Sequence, residues 1–193
     1  MSNLYSVGQM NEHGNALEQS GWTPAHLKKA AGGSFLKSVL DVLDGRAEIT
    51  YPDHVIDCDA DPFLPKGWKV EEHQKGGQLK FDSTQVQFYL SDPQRKGKVI
   101  EGNTLRKELA GKPVLNANVL DYLLAHPHLI PEEWKEDSEG RTRYIFFWGT
   151  IYRNSSGGLY VRFLYWDGGR WYWDCGWLGY GWYVDSPAAL RAS

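Results

Sequence analysis

Cysteine is scarce in this chain, with two residues, Cys58 and Cys175, among 193. They lie far apart and form neither a CxxC pair nor a zinc-ligand spacing, which excludes a scaffold held by several disulfides and a cysteine-built metal knuckle. Free thiols in a reducing cytoplasm are expected, with a single disulfide as the alternative. No apolar run approaches the length needed to cross a bilayer. The opening residues lack the basic then apolar order of a signal peptide, so neither a membrane nor an export signal is expected. Excess charge of one sign is also missing: a net charge of -3 gives no overall pull toward nucleic acid or acidic lipid. There is no internal repeat, no HExxH, no nucleophile elbow and no EF-hand loop. On these grounds the chain is expected to be non-enzymatic and to carry no cofactor.

What the chain does have is aromatic rings. Phe, Trp and Tyr make up 14% of the residues, and six of the 9 tryptophans fall between Arg143 and Tyr183. Two glycine-containing breaks, Asn154 to Gly158 and Asp167 to Gly169, cut this stretch into strand-length runs, the pattern of an antiparallel meander. From Tyr144 to Ile151 both alternate sets are apolar, so both faces of that strand should be covered. Farther on, Trp171, Trp173, Cys175 and Trp177 share one face, while Arg170, Tyr172, Asp174 and Leu178 share the other. The indoles either fill space under helices or form an open platform for a partner.

The fold class expected is α+β. Residues 1–45 form an N-terminal helical segment: after a polar lead, Thr23 caps a helix that starts at Pro24. Ser34 caps a second, in which Phe35, Leu36, Val39, Leu40 and Leu43 recur at helical spacing before Gly45. The two make a hairpin with one apolar face. Residues 46–193 form an α+β domain with a small mixed central region. A strand is expected over Arg46 to Tyr51, and a hairpin joins Trp68 to His73 with Gln78 to Phe81 around Gly76 and Gly77. Another strand covers Gln85 to Leu90, and a helix runs from Leu105 to Ala110. Asn116 caps a helix with Val119, Leu120, Leu123 and Leu124 on one face, which packs on the C-terminal sheet. Pro131 to Trp134 make one helical turn, and Ser186 and Pro187 open a last short helix.

The block GKPVLNANVLDYLLAHPHLIPEEWK (Gly111 to Lys135), together with Ile145 to Trp173, resembles small uncharacterised proteins of bacterial and phage-like genomes. The resemblance extends through HVIDCDADPFLPKGW. It implies a bacterial or phage-related setting and no particular activity.

Three functional readings follow from the residues. The leading one is a cytoplasmic interaction protein that contacts an unidentified protein partner through Trp171, Trp173, Trp177, Trp182 and Arg170, because interfaces are enriched in Trp, Tyr and Arg. A second is a metal-dependent hydrolase centred on His54, Asp57, Asp59 and His73, since alternate carboxylates on an extended segment point to one side. A third is a single-stranded nucleic acid binder that stacks bases on the indoles and neutralises phosphates with Arg95, Lys96, Arg162 and Arg170. His126 and His128, at the end of the Asn116 helix, suit the helix dipole and need no further role.

Overall fold

The computed structural model describes residues 5–32, 34–48 and 53–192. The chain divides into two compact units, Met1–Pro52 and Asp53–Ser193. The division falls a few residues beyond the boundary predicted after residue 45. Of the strand expected over Arg46 to Tyr51, residues 49–51 lie outside the described residues, and Arg46 and Ala47 are bends.

Among its described residues the first unit holds three helices, α1 (Val7–Gln19), α2 (Pro24–Ala30) and α3 (Phe35–Leu43). The polar lead is itself helical, a correction to the sequence reading. α1 lacks an apolar stripe, but Ser6 and Gln9 close a capping box in which each side chain accepts the other's backbone N–H, so the first turn is fixed without burial. Thr23 and His26 do the same for α2. None of these helices buries a residue, although the Trp22 and Phe35 rings meet at 6.1 Å.

The second unit contains, in chain order, β1 (Val55–Asp57), β2 (Lys69–His73), β3 (Gln78–Lys80), β4 (Val86–Tyr89), α4 (Asp92–Arg95), β5 (Ile100–Glu101), α5 (Gly102–Leu109), α6 (Ala117–Ala125), β6 (Ile145–Arg153), β7 (Leu159–Asp167), β8 (Arg170–Trp177), β9 (Gly181–Trp182) and β10 (Ala188–Arg191). The predicted meander is present: β6, β7 and β8 are antiparallel neighbours joined at the two glycine breaks. β4 and the Asn116-capped α6 also stand where the sequence put them. The architecture is therefore α+β, with a six-stranded mixed sheet ordered β4, β10, β6, β7, β8, and with β2 pairing the far half of β6.

Two pairings differ from the reading. β2 and β3 do not form a hairpin: β2 joins β6, and β3 joins β1. The backbone N–H groups of Gly76 and Gly77 donate to Asp59 Oδ1 at 3.0 and 2.9 Å, which holds the connecting turn against the segment after β1. After Ser186 and Pro187 there is no helix; β10 lies between β4, to which it is antiparallel, and β6, to which it is parallel. Its Ala188, Ala189 and Leu190 are buried, so the position is fixed by packing.

Both faces of the sheet are covered. Ile145, Phe147, Leu164 and Trp171 pack with Val119, Leu120 and Leu123 of α6. Phe146, Trp148, Ile151, Val161 and Trp182 pack with Leu105 and Leu109 of α5. Gly149 permits the close approach of α6, because a Cβ there would stand 2.8 Å from Asn116 Cβ and 2.9 Å from its backbone. Among the described residues no helix is long and apolar enough to cross a membrane.

Candidate interaction surface

Burial declines from strand to strand across the meander. Along β6 every residue but the last is buried, β7 is mixed, and β8, the outermost strand, is largely open. This gradient separates the candidate indoles. Trp171 lies edge-to-face on Trp166 at 5.4 Å and is 9% exposed; Trp182 packs on Phe146 and Trp148 at 4.0 and 4.8 Å and is 3% exposed. These two belong to the core, which corrects their place in the predicted binding set. Trp173 and Trp177 are 37% and 40% exposed. Arg170 is also exposed, with its guanidinium over the Tyr172 ring at 4.4 Å and its Nε donating to the Tyr172 hydroxyl.

Beneath Trp173 is a residue whose role the sequence did not reveal. Arg162 of β7 is 1% exposed, and its guanidinium lies 4.1 Å from the Trp173 ring centroid. It donates to both oxygens of Asp121 on α6, Nη1 to Oδ2 at 3.0 Å and Nη2 to Oδ1 at 2.7 Å. Burial works against this charge, but the Asp121 hydrogen bonds and negative charge outweigh it and hold Arg162 above its ordinary value. Phe63, exposed in the loop after β1, closes the other side: its ring is 5.1 Å from the guanidinium and 5.6 Å, edge-to-face, from Trp173. Phe63 was not among the residues the sequence singled out. The only hint was a large ring between two prolines.

Two further groups share this interior. Burial pushes the Tyr152 phenol up to about 12 despite the Arg162 guanidinium beside it, whose charge and hydrogen bonding pull the other way. Cys175, between Trp173 and Trp177 on the same face, is pushed up to about 11 by burial, which disfavours its thiolate. At the far end of β8 the Trp177 ring meets Tyr180 edge-to-face at 4.9 Å and folds over Gly179, where a Cβ would be 2.5 Å from ring carbon Cζ2. Its strand partner Tyr160 packs on Trp68 at 4.7 Å.

The proposed metal set is not brought together. His73 Nε2 donates to the Cys58 carbonyl at 3.1 Å, and its Nδ1 faces Thr150 Oγ1 at 2.9 Å. Since the carbonyl only accepts, the neutral ring has no free lone pair left for an ion. Asp59 is bonded to the Gly76 and Gly77 amides, and Asp57 Oδ1 accepts the Asp59 N–H at 3.0 Å. His54 points elsewhere, with Nδ1 2.9 Å from the Tyr122 hydroxyl. The aspartates thus shape a turn. Of the phosphate-binding set, Arg162 is sealed and Arg95 is paired with Asp92 at 2.5 Å. Both cysteines are free. Comparison of the chain with protein-family models, curated proteins and solved structures gives no match.

Proposed function

We propose that this chain is a binding protein that engages a protein partner through the open face of β8, with Trp173, Trp177 and Phe63 as the contact rings and Arg170 at the rim. One observation carries the reading: Trp173 is an exposed indole whose underside rests on a buried, carboxylate-anchored guanidinium. Such a ring loses little freedom when a partner covers it, and Trp and Arg are over-represented among residues that dominate interface energies. In the interior beneath it, Cys175 and Tyr152 are both held protonated by burial. A cytoplasmic location is part of this proposal, supported by two unpaired thiols of the kind a reducing compartment keeps.

The test is capture of a partner on the purified chain, followed by titration of that partner against wild type, Trp173→Ala and Trp177→Ala. Loss of at least about tenfold in affinity for each variant is expected, the signature of a hot-spot residue. Unchanged affinity in variants that keep their melting temperature would remove the proposal.

A further inference from the structure

The apolar stripe of α3, in the first unit, faces solvent. Phe35, Leu36, Val39, Leu40 and Leu43 fall on one side of this nine-residue helix, and all five are exposed. At 3.6 residues per turn Leu36 and Leu43 stand at the middle of the stripe, and they are its most open members, 61% and 77% exposed. A helix packed by its stripe within its own unit has the opposite pattern. None of α1, α2 and α3 buries a residue, and helices of 13, 7 and 9 residues are marginal in water without tertiary packing. We propose that two copies of this chain pair through α3, antiparallel about a two-fold axis, each covering the stripe of the other. The inference goes beyond the contact proposed at β8 and does not rest on it.

The surface is complementary to itself in shape. Leu43 projects at the C-terminal end of the stripe, while at the N-terminal end the stripe runs into an open cleft of about 680 Å3 lined by Trp22, His26, Ala30 and Phe35. An antiparallel pair brings Leu43 of each copy to the cleft of the other, and the same patch serves both sides, as a two-fold interface requires. A parallel pair would set Leu43 on Leu43 and leave both clefts empty.

Charge points the same way. Lys37 and Asp44 are two helical turns apart and share the flank beside Leu40. Antiparallel pairing sets Lys37 of one copy near Asp44 of the other on both sides of the axis, whereas parallel pairing would set like against like. Within one copy Lys37 is 3.4 Å from Asp41, and Asp44 is 2.7 Å from Arg46, so the cross pair contributes direction more than affinity. Five apolar side chains at roughly 100 Å2 each offer about 500 Å2 per copy, or about 1,000 Å2 for the pair, the low end for a specific interface. The dimer is therefore reversible, with a dissociation constant on the order of micromolar.

The test is sedimentation equilibrium of the full chain from about 1 to 200 μM, a range that brackets that constant, in reducing buffer so that Cys58 and Cys175 stay free. A monomer–dimer equilibrium is expected. Leu36→Asp and Leu43→Asp should each weaken it by more than tenfold, because each change enters a two-fold interface twice. Val99→Asp, at an exposed apolar residue of the second unit, should leave it unchanged. Lys37→Asp should weaken the dimer, and adding Asp44→Lys should restore it. Melting of each variant checks that the second unit remains folded. A chain that stays monomeric throughout, or a dimer that keeps its affinity in both Leu36→Asp and Leu43→Asp, would overturn the proposal. So would a monomer that sediments with vesicles of equal parts phosphatidylcholine and phosphatidylglycerol and loses them in Leu43→Asp, which would give this face to lipid.

Discussion

Replacing Asp121 by alanine leaves the Arg162 guanidinium charged inside the second unit without its carboxylate. Arg162 is 1% exposed, and its Nε has no hydrogen-bond partner among the described residues even with Asp121 in place. Breaking a buried ion pair by removing one partner costs about 3–5 kcal/mol, because the remaining charge stays desolvated. The Asp121 side chain is 34% exposed, so some water can reach the vacated position and the low end, about 3 kcal/mol, is expected. A domain of this size loses roughly 3 °C of melting temperature per kcal/mol, which predicts a fall of about 10 °C. Urea denaturation measures the first quantity and thermal melting the second, each followed by circular dichroism and tryptophan emission. The emission should also change in the native baseline, since Trp173 rests on the same guanidinium. Asp121→Leu combined with Arg162→Met should recover most of the loss, as replacing both members of a buried pair by apolar groups often does. A loss under about 1 kcal/mol for Asp121→Ala would refute the reasoning, for it would mean that the guanidinium is solvated by some other route.

The Tyr152 phenol ionises near 10 in the unfolded chain and at about 12 in the folded protein, so the unfolded state releases its proton first. Its contribution is then full below about pH 10 and is lost as pH climbs to about 12, by up to roughly 3 kcal/mol, and the Tyr152→Phe variant should show a shallower alkaline loss in melting curves taken across that window. Gly102→Ala should destabilise the second unit by about 1–3 kcal/mol in urea although it adds helix propensity to α5, because the new Cβ would lie 2.5 Å from Trp182 Nε1 and 2.6 Å from the Leu178 carbonyl oxygen; a neutral or stabilised variant would show that this contact relaxes without cost.

Local chemistry made much of this fold legible. The glycine breaks located the turns of the β6 to β8 meander, and Asn116 marked the start of α6, where its Oδ1 accepts the Asn118 N–H at 3.2 Å. What local chemistry does not encode is which strand pairs with which. The run from Trp68 to Phe81 has the turn residues of a hairpin, yet β2 and β3 are drawn to different sheets by partners many residues away. β10 is too short and too alanine-rich to be told from a helix start, and burial between β4 and β6 decides its form. The same limit applies to the sites. The sequence could group Trp171, Trp173 and Trp177 on one face but not say how far α6 covers it.

The topology itself explains why the open rings sit where they do, and it bears on how the proposed contact would be made. A two-residue loop at Gly168 and Gly169 makes Asp167 and Arg170 a hydrogen-bonded pair, so in β8 the residues from Arg170 in steps of two bond inward to β7. The outward amides then belong to Trp171, Trp173, Cys175 and Trp177, the same residues whose side chains share the aromatic face. The Cys175 N–H is already taken by Asp174 Oδ1 at 2.7 Å. A carboxylate that caps its neighbour's amide in the middle of an edge strand interrupts the row that an added strand would need, one of the ways edges are kept from pairing. In the proposed complex, contact at β8 would fall to the ring faces of Trp173 and Trp177 in preference to the backbone, and the buried Arg162 and Asp121 pair, which reaches across from α6, underlies the first of those rings.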